Sequence, residues 1–341
     1  LDLLQQLRDE RGLGVLFVTH DLDVVRDIAD HVVVMRHGEV VESGTCQGVM
    51  NAPKHPYTQS LLAAMPKVRD ASAHANRATG PADDTPLVAA RGVVKRFVTR
   101  TNIWGKPTHT FDALKGVDLA IARGERVGLV GESGSGKSTL GNILLGLDTW
   151  DDGDVTWKGG APKGAAFRRA AQPVFQDPFS ALNPSMTVGA ALQEAVDTRA
   201  DKHGPSVAGL LEEVGLSASD ASRKPGSFSG GQRQRIVLAR ALALSPEFLV
   251  LDESVAALDL RIQAEILDLL KDLCERRGLT FLFISHDLNV VGAVCDRIAV
   301  MREGEIVEEG PAMQLLSSPQ HPYTQRLLNS RPGSPKRVGV A

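Results

Sequence analysis

Residues 131–139 read Gly-Glu-Ser-Gly-Ser-Gly-Lys-Ser-Thr, which fits the pattern GxxxxGK[ST]. An apolar run at 126–130 precedes this stretch, and a helical run begins at Thr139. Glycines let the backbone curl, so that successive N–H groups point at phosphate oxygens beside a helix N-terminus. The stretch therefore predicts a strand, a phosphate-binding loop and a helix, which together are the opening unit of a P-loop α/β fold.

Two side chains of this loop have specific expected roles. Lys137 is expected to reach the β- and γ-phosphates of a bound nucleotide, and the Ser138 hydroxyl is expected to ligate Mg²⁺. Nine residues are expected to surround the phosphates: Gly131, Glu132, Ser133, Gly134, Ser135, Gly136, Lys137, Ser138 and Thr139.

A second apolar run, residues 248–251, ends in two carboxylates, Asp252 and Glu253. A continuous apolar strand is typical of a parallel sheet that is covered on both faces. At the end of such a strand, Asp252 is expected to hold Mg²⁺ through water, and Glu253 to polarise a water against the γ-phosphate. Taken alone, the run is equally consistent with a strand that ends in solvent.

Ser229, Gly230, Gly231 and Gln232 precede a strong helical pattern. Ser229 is expected to be the N-cap, which leaves free N–H groups and a second anion-binding helix start. Because residues 131–139 already form one phosphate-binding loop, a second anion-binding helix start suggests contact with the phosphates of another nucleotide. By itself, this turn is also an ordinary way to start a helix.

Residues 1–62 align without a gap to residues 267–328, with 32 identities. His20 aligns with His286, which gives an offset of 266 residues. The second copy is preceded by about 180 residues that the first copy lacks. We therefore expect a tandem protein whose first domain is truncated, although a genuine short N-terminal domain is the alternative. A truncated unit would expose apolar strand edges.

The repeat and the local composition predict four segments. Residues 1–65 are expected to be the C-terminal remnant of a first domain, and residues 87–330 a complete second domain. Residues 66–86, rich in Pro, Ala, Asp and Thr, are expected to form a linker, and residues 331–341 a disordered tail.

The composition of the 341 residues excludes several classes of function. Hydrophobic residues make up 43% and charged residues 23%, which is typical of a folded globular chain. The net charge of -3 provides no basic field, so no nucleic-acid partner is expected. No stretch approaches the ~18 consecutive apolar residues of a transmembrane helix, so any membrane role is expected to be peripheral.

Six motifs together resemble the nucleotide-binding domain of ABC transporters over residues 87–330: 131–139, Gln176, 229–235, 251–253, 257–259 and His286. The resemblance implies ATP and Mg²⁺ as ligands. It implies that Gln176 contacts Mg²⁺ and the lytic water and reports to a membrane subunit, and that His286 contacts the γ-phosphate. Asp259 is implied to be the D-loop aspartate, and His20 is the counterpart of His286 in the first copy.

The same resemblance implies an α/β P-loop NTPase (ABC ATPase) core, an antiparallel β part near its start and a helical signature subdomain over about 177–235. Phe97 is the candidate for stacking on adenine, with Trp104 and Phe111 as competitors.

Further matches resemble the ATPases of dipeptide and oligopeptide importers, notably His-Pro-Tyr-Thr at 321–324 and again at 55–58. This implies a second ATPase domain paired head to tail, two transmembrane permease subunits and, indirectly, an extracytoplasmic solute-binding protein. It also implies a peripheral location on the cytoplasmic face of the cell membrane. The alternatives are a non-transport ABC ATPase, or a nucleotide-binding module with little turnover.

Overall fold

The computed structural model describes residues 2–19, 21–65, 85–101, 107–175, 177–199, 204–255 and 258–329. The expected tail lies outside the described residues, as does almost all of the expected linker. The first six elements are α1 (Asp2–Arg11), α2 (Leu22–Ile28), β1 (His31–Arg36), β2 (Glu39–Thr45), α3 (Cys46–Asn51) and α4 (Pro56–Ala63).

A three-stranded antiparallel sheet opens the second unit, in the spatial order β4-β3-β6. Its strands are β3 (Val88–Thr101), β4 (Pro107–Ile121) and β6 (Asp152–Trp157). This sheet is the antiparallel part expected from the sequence.

The central sheet has six strands in the order β11-β10-β5-β9-β8-β7. Five of them are parallel, and β11 pairs with β10 in the antiparallel sense. The strands are β5 (Arg126–Val130), β7 (Ala171–Val174), β8 (Phe248–Asp252), β9 (Thr280–Ser285), β10 (Arg297–Arg302) and β11 (Glu305–Pro311).

A group of short helices and turns occupies most of the region expected to be helical. It comprises α7 (Pro178–Ala181), α8 (Val188–Thr198), α9 (Val207–Glu213), two 3-10 turns (Ala218–Ser222 and Pro225–Ser227) and α10 (Gly230–Leu242). The remaining helices are α5 (Lys137–Leu144), α6 (Gly164–Ala170), α11 (Leu260–Arg277), α12 (Leu288–Val294), α13 (Ala312–Ser317) and α14 (Pro322–Asn329). Among the described residues, no helix is long and apolar enough to cross a lipid bilayer.

Apolar layers cover both faces of the central sheet, which explains its continuous apolar strands. Side chains alternate along β9: Phe281 and Phe283 join the layer formed with α10, α11 and α12. Leu282 and Ile284 join the layer formed with α5 and the antiparallel sheet. Because successive side chains of a strand point to opposite faces, one strand serves both layers. The two layers hold the parallel strands in place, so that their carboxyl ends share one edge, and the predicted residues Asp252, Glu253 and His286 lie at this edge.

Candidate nucleotide-binding site

Residues 131–136 connect the carboxyl end of β5 to the amino end of α5. Gly136 is the N-cap of α5 and has a φ of 104°. A Cβ at this position would lie 2.5 Å from the carbonyl oxygen of Ala113, so both conformation and space require glycine. The helix thus begins directly behind the loop, and its N–H groups and positive dipole end favour a bound anion.

Lys137 is buried, and its ammonium group lies among neutral acceptors. Nζ donates to the carbonyl oxygens of Gly131 at 2.8 Å and Glu132 at 2.7 Å. Burial lowers the pKa of Lys137, and the nearby carboxylates of Glu253, Asp252 and Glu132 act in the opposite direction. A phosphate group would give this buried cation an anionic partner for its hydrogen bonds.

Asp252, at the end of β8, and Ser138, on α5, form an oxygen-rich pair. Burial raises the pKa of Asp252, while a hydrogen bond from the Ser138 side chain lowers it. Within the described part of the chain, Asp252 Oδ1 is buried and has no hydrogen-bond partner. A buried oxygen without a partner is costly, and hard oxygen donors are the ligands that Mg²⁺ prefers. The two residues therefore fit a magnesium site.

Glu253 and His286, which are 33 positions apart in the chain, meet beside this pair. Their strands, β8 and β9, are parallel neighbours, and the Glu253 N–H donates to the Ile284 carbonyl oxygen at 2.9 Å. The His286 Nδ1 lies 3.3 Å from Glu253 Oε1. The His286 side chain is 62% exposed and Glu253 is 28% exposed. A carboxylate and an imidazole at this position can act on a water molecule or a phosphate that enters from solvent.

Two predicted residues cannot be placed in this arrangement. Gln176 lies outside the described residues, two positions beyond the end of β7, and His20 also lies outside them. Since β7 neighbours β8 in the central sheet, the chain leaves β7 at the edge that carries Asp252.

The predicted signature residues start α10. Ser229 is the N-cap, as the sequence predicts: the Gln232 N–H donates to Ser229 Oγ at 3.3 Å, and the Ser229 N–H donates to Gln232 Oε1 at 3.0 Å. This reciprocal pair is a capping box. A Cβ on Gly231 would lie 2.2 Å from Ile262 Cγ2, so glycine allows α10 to approach α11 closely at this point.

Asp259 caps α11, because its Oδ1 accepts the Ile262 N–H at 3.0 Å. The side chain therefore has a local structural partner in addition to any role at a domain interface. α11 lies directly against the signature helix through Ile262 and Gly231. Asp259 and the predicted signature residue Gly231 are consequently fixed relative to each other.

Two of the three candidates for adenine stacking lie side by side. Phe97 on β3 pairs with Phe111 on β4, and the two rings are 40% and 53% exposed. Lys95 Nζ lies 5.0 Å from the centroid of the Phe97 ring and donates to Asp148 Oδ1 at 2.7 Å. The third candidate, Trp104, lies outside the described residues. Phe97 therefore remains a prediction, with Phe111 equally available to a ligand.

The C-terminal part of the chain makes two contacts with the phosphate loop that the sequence did not predict. The Glu132 N–H donates to the Tyr323 hydroxyl oxygen at 3.2 Å. The Gly304 N–H, from the β10–β11 turn, donates to the Ser135 carbonyl oxygen at 3.0 Å. The sequence contains His-Pro-Tyr-Thr twice, which draws attention to Tyr323. The spacing of this stretch does not predict its contact with the phosphate loop.

The loop that ends in Lys137 and the carboxylates that follow β8 meet at one edge of a mainly parallel sheet, which is the arrangement of P-loop nucleotide-binding domains. Within that class, the chain belongs to the ATP-binding cassette family of ABC transporters. The family model described as "ABC transporter" matches residues 114–256. The model described as "Oligopeptide/dipeptide transporter, C-terminal region" matches residues 41–101 and 307–338.

Curated relatives include proteins named "Glutathione import ATP-binding protein GsiA". The protein from Salmonella choleraesuis is 42% identical and that from Escherichia coli K12 is 41% identical, each over 361 aligned positions. Each alignment covers 97% of this chain but only 58% of the relative, so the chain spans little more than half their length.

Among solved structures, the ATP-binding cassette MJ0796, in a dimer bound to ADP and Pi, is 30% identical with a TM-score of 0.55. The match covers 66% of this chain and 98% of that structure. The structure of cbiO1 from Clostridium perfringens is 24% identical, with a TM-score of 0.58. The match covers 72% of this chain and 95% of cbiO1, and at this identity it shows the fold alone.

Proposed function

We propose that this chain binds and hydrolyses ATP and so powers the import of di- or oligopeptides through separate membrane subunits. The proposal rests on one observation. Lys137, the Ser138–Asp252 pair and the Glu253–His286 pair lie together at one edge of the central sheet. The names of the glutathione-import relatives and the description of the oligopeptide family model support the transport role.

The chain's own residues suggest how hydrolysis proceeds. Lys137 exchanges the carbonyl oxygens of Gly131 and Glu132 for phosphate oxygens of ATP, and Glu253 accepts a proton from the attacking water. His286, beside Glu253, donates a hydrogen bond to the γ-phosphate. Ser138 and, through water, Asp252 would hold Mg²⁺, which when bound neutralises charge on the phosphates.

The proposed site is shared between two cassettes paired head to tail. The signature, Ser229–Gln232, then faces the ATP held by the phosphate loop of the other cassette. The solved dimer of MJ0796 with ADP and Pi supports this arrangement. Hydrolysis per chain is therefore expected to rise with chain concentration as dimers form.

We propose that a groove lined in part by Phe175, the residue before Gln176 in the sequence, takes a helix of a membrane subunit. The groove, of about 640 Å³, lies between β7, α8 and α10, and its apolar lining includes Phe175, Ala195, Val237 and Leu244. Phe175 is an exposed aromatic ring next to the residue that the family resemblance links to the membrane subunit. Docking there would hold the chain on the cytoplasmic face of the membrane, with two permease subunits between it and a solute-binding protein.

Residues 1–65 are proposed to correspond to the C-terminal part of another cassette. The support is the internal repeat together with the oligopeptide family model, whose two matched stretches begin at residues 41 and 307 and so repeat the 266-residue offset.

The test is the substitution Glu253→Gln in the full chain. Loss of the general base should cut ATP turnover by roughly two orders of magnitude or more, while ATP binding stays intact. The control is Glu275→Gln, on the exposed side of α11, which should leave turnover unchanged. Near wild-type phosphate release from Glu253→Gln would show that Glu253 is only a carboxylate at a strand end.

A further inference from the structure

One peptide group of the phosphate loop is held from both sides. The Gly131 carbonyl oxygen accepts a hydrogen bond from Lys137 Nζ at 2.8 Å. The Glu132 N–H, in the same peptide group, donates to the Tyr323 hydroxyl oxygen at 3.2 Å. Because a peptide group is planar, a partner that fixes its N–H also fixes the direction of its carbonyl oxygen. Tyr323 thus orients the Gly131 carbonyl, one of the two carbonyl groups to which Lys137 Nζ donates.

The Tyr323 ring is itself held firmly. The residue is 4% exposed, and the Arg302 guanidinium lies 5.1 Å from the centroid of its ring. The Tyr323 N–H donates to Nδ1 of His321 at 3.2 Å, and Glu308 on β11 accepts the N–H of His321 at 3.1 Å. The hydroxyl is therefore placed by a chain of contacts that runs from β11 through the start of α14.

We propose that Tyr323 is a positioning residue for ATP, which holds the Gly131–Glu132 peptide group so that the phosphate loop is ordered before the nucleotide arrives. This inference rests on the proposed function, because it takes ATP as the ligand. A loop ordered in advance loses less conformational freedom on binding. Without the hydroxyl, the Glu132 N–H loses its acceptor, and the Gly131–Glu132 peptide group is free to rotate, so the loop is less ordered before ATP binds. Tyr323 touches no reacting atom, so it acts on nucleotide affinity rather than on the chemical step.

The first copy of the repeat contains a matched tyrosine. The Tyr57 N–H donates to Nδ1 of His55 at 3.1 Å, and the Arg36 guanidinium lies 5.0 Å from its ring centroid. The local frame of Tyr57 thus reproduces that of Tyr323 closely. Residues 1–56 contain no GxxxxGK[ST] stretch. Tyr57→Phe therefore removes the same hydroxyl from the same frame without touching a phosphate loop.

The experiment compares the wild-type full chain with Tyr323→Phe and Tyr57→Phe, using ATP titration, steady-state hydrolysis and thermal unfolding. Phenylalanine keeps the ring, which is buried at Tyr323 and half-buried at Tyr57, and removes only the hydroxyl. Loss of one hydrogen bond should raise the Kd and KM for ATP by about 3- to 10-fold in Tyr323→Phe, with kcat within about 2-fold. Tyr57→Phe should change none of these quantities.

Two results would overturn the proposal. One is an unchanged ATP affinity in Tyr323→Phe, which, if the Tm is lower, would make the hydroxyl purely structural. The other is an equal loss of affinity in both variants.

A measurement without nucleotide separates this inference from the proposed function. Deuterium exchange of the Glu132 amide should be faster in Tyr323→Phe than in the wild type, because the hydroxyl is its acceptor. A wild-type chain that binds no ATP would overturn the proposed function, whereas an unchanged Glu132 exchange rate would overturn the role of Tyr323.

Discussion

Residues 1–62 and 267–328 are two copies of one sequence in different surroundings. Both copies form two helical segments, a hairpin and two further short helices. The hairpins β1–β2 and β10–β11 shift register at equivalent positions, after Val34 and after Val300. Asp21 caps α2 in the same way as Asp287 caps α12. Because these features rest on contacts between near neighbours in sequence, they form wherever the sequence occurs.

The copies differ where structure depends on distant residues. Residues 280–285 form β9, which is buried between β5 and β8. The equivalent residues 14–19 form no strand, and Leu16 and Val18 are 92% and 89% exposed. Their sequences are similarly apolar, so the strand requires neighbouring strands as well as its own sequence. The sheet edge that carries Asp252, Glu253 and His286 depends on the same neighbours.

The largest difference between the copies is expected in the core. Phe283 is fully buried in β9, whereas its counterpart Phe17 is 42% exposed. Phe283→Ala should lower the free energy of unfolding by about 3–5 kcal/mol, through lost burial and the cavity left behind. Phe17→Ala should lower it by less than about 0.5 kcal/mol. Urea denaturation of the full chain measures both, and equal losses would contradict the difference in environment.

His286 follows residues 280–285, and His20 follows the equivalent residues 14–19, so the two histidines extend the comparison to the proposed ATP site. His286→Ala should reduce ATP turnover by about 100-fold, because the imidazole beside Glu253 is lost. His20→Ala, at the aligned position of the first copy, should leave turnover within about 2-fold, since residues 1–130 contain no GxxxxGK[ST] stretch for it to act with. Phosphate-release assays on both variants give the comparison. Similar losses would mean that the first copy also takes part in hydrolysis.

The smallest expected effects come from the helix caps Asp21 and Asp287, and they should be the same in both copies because each capping side chain accepts hydrogen bonds from its own helix. Asp287→Ala and Asp21→Ala each remove a helix cap and should each destabilise the capped helix by about 1 kcal/mol. Hydrogen exchange of the amides in α12 and α2 reports this cost helix by helix. An effect confined to α12 would show that even the caps depend on the surrounding domain.

Much of the fold and of the candidate site can be predicted from the sequence, because these parts rest on contacts between residues that are close together in the chain. The loop before Lys137, the strand that ends at Asp252 and the Ser229 cap each depend on a short stretch of residues. The pairing of Glu253 with His286 required one further step, namely that two apolar strands are parallel neighbours.

Other features depend on packing between distant segments and could not be predicted. Tyr323 reaches the phosphate loop across 191 positions of sequence. The antiparallel register of β3 and β4 places Phe97 beside Phe111, and both rings are exposed, so neither pattern nor structure selects one of them for adenine.

The central claim is that each chain binds one ATP through the phosphate loop that ends in Lys137. Equilibrium titration with ATP tests it most directly, using the wild type, Lys137→Ala and, as a control, Lys163→Ala at an exposed lysine. We expect one ATP per chain in the wild type and the control, and no tight binding in Lys137→Ala, because the buried cation that meets the phosphates is removed. Two ATP molecules per chain, or binding that survives Lys137→Ala, would contradict the account.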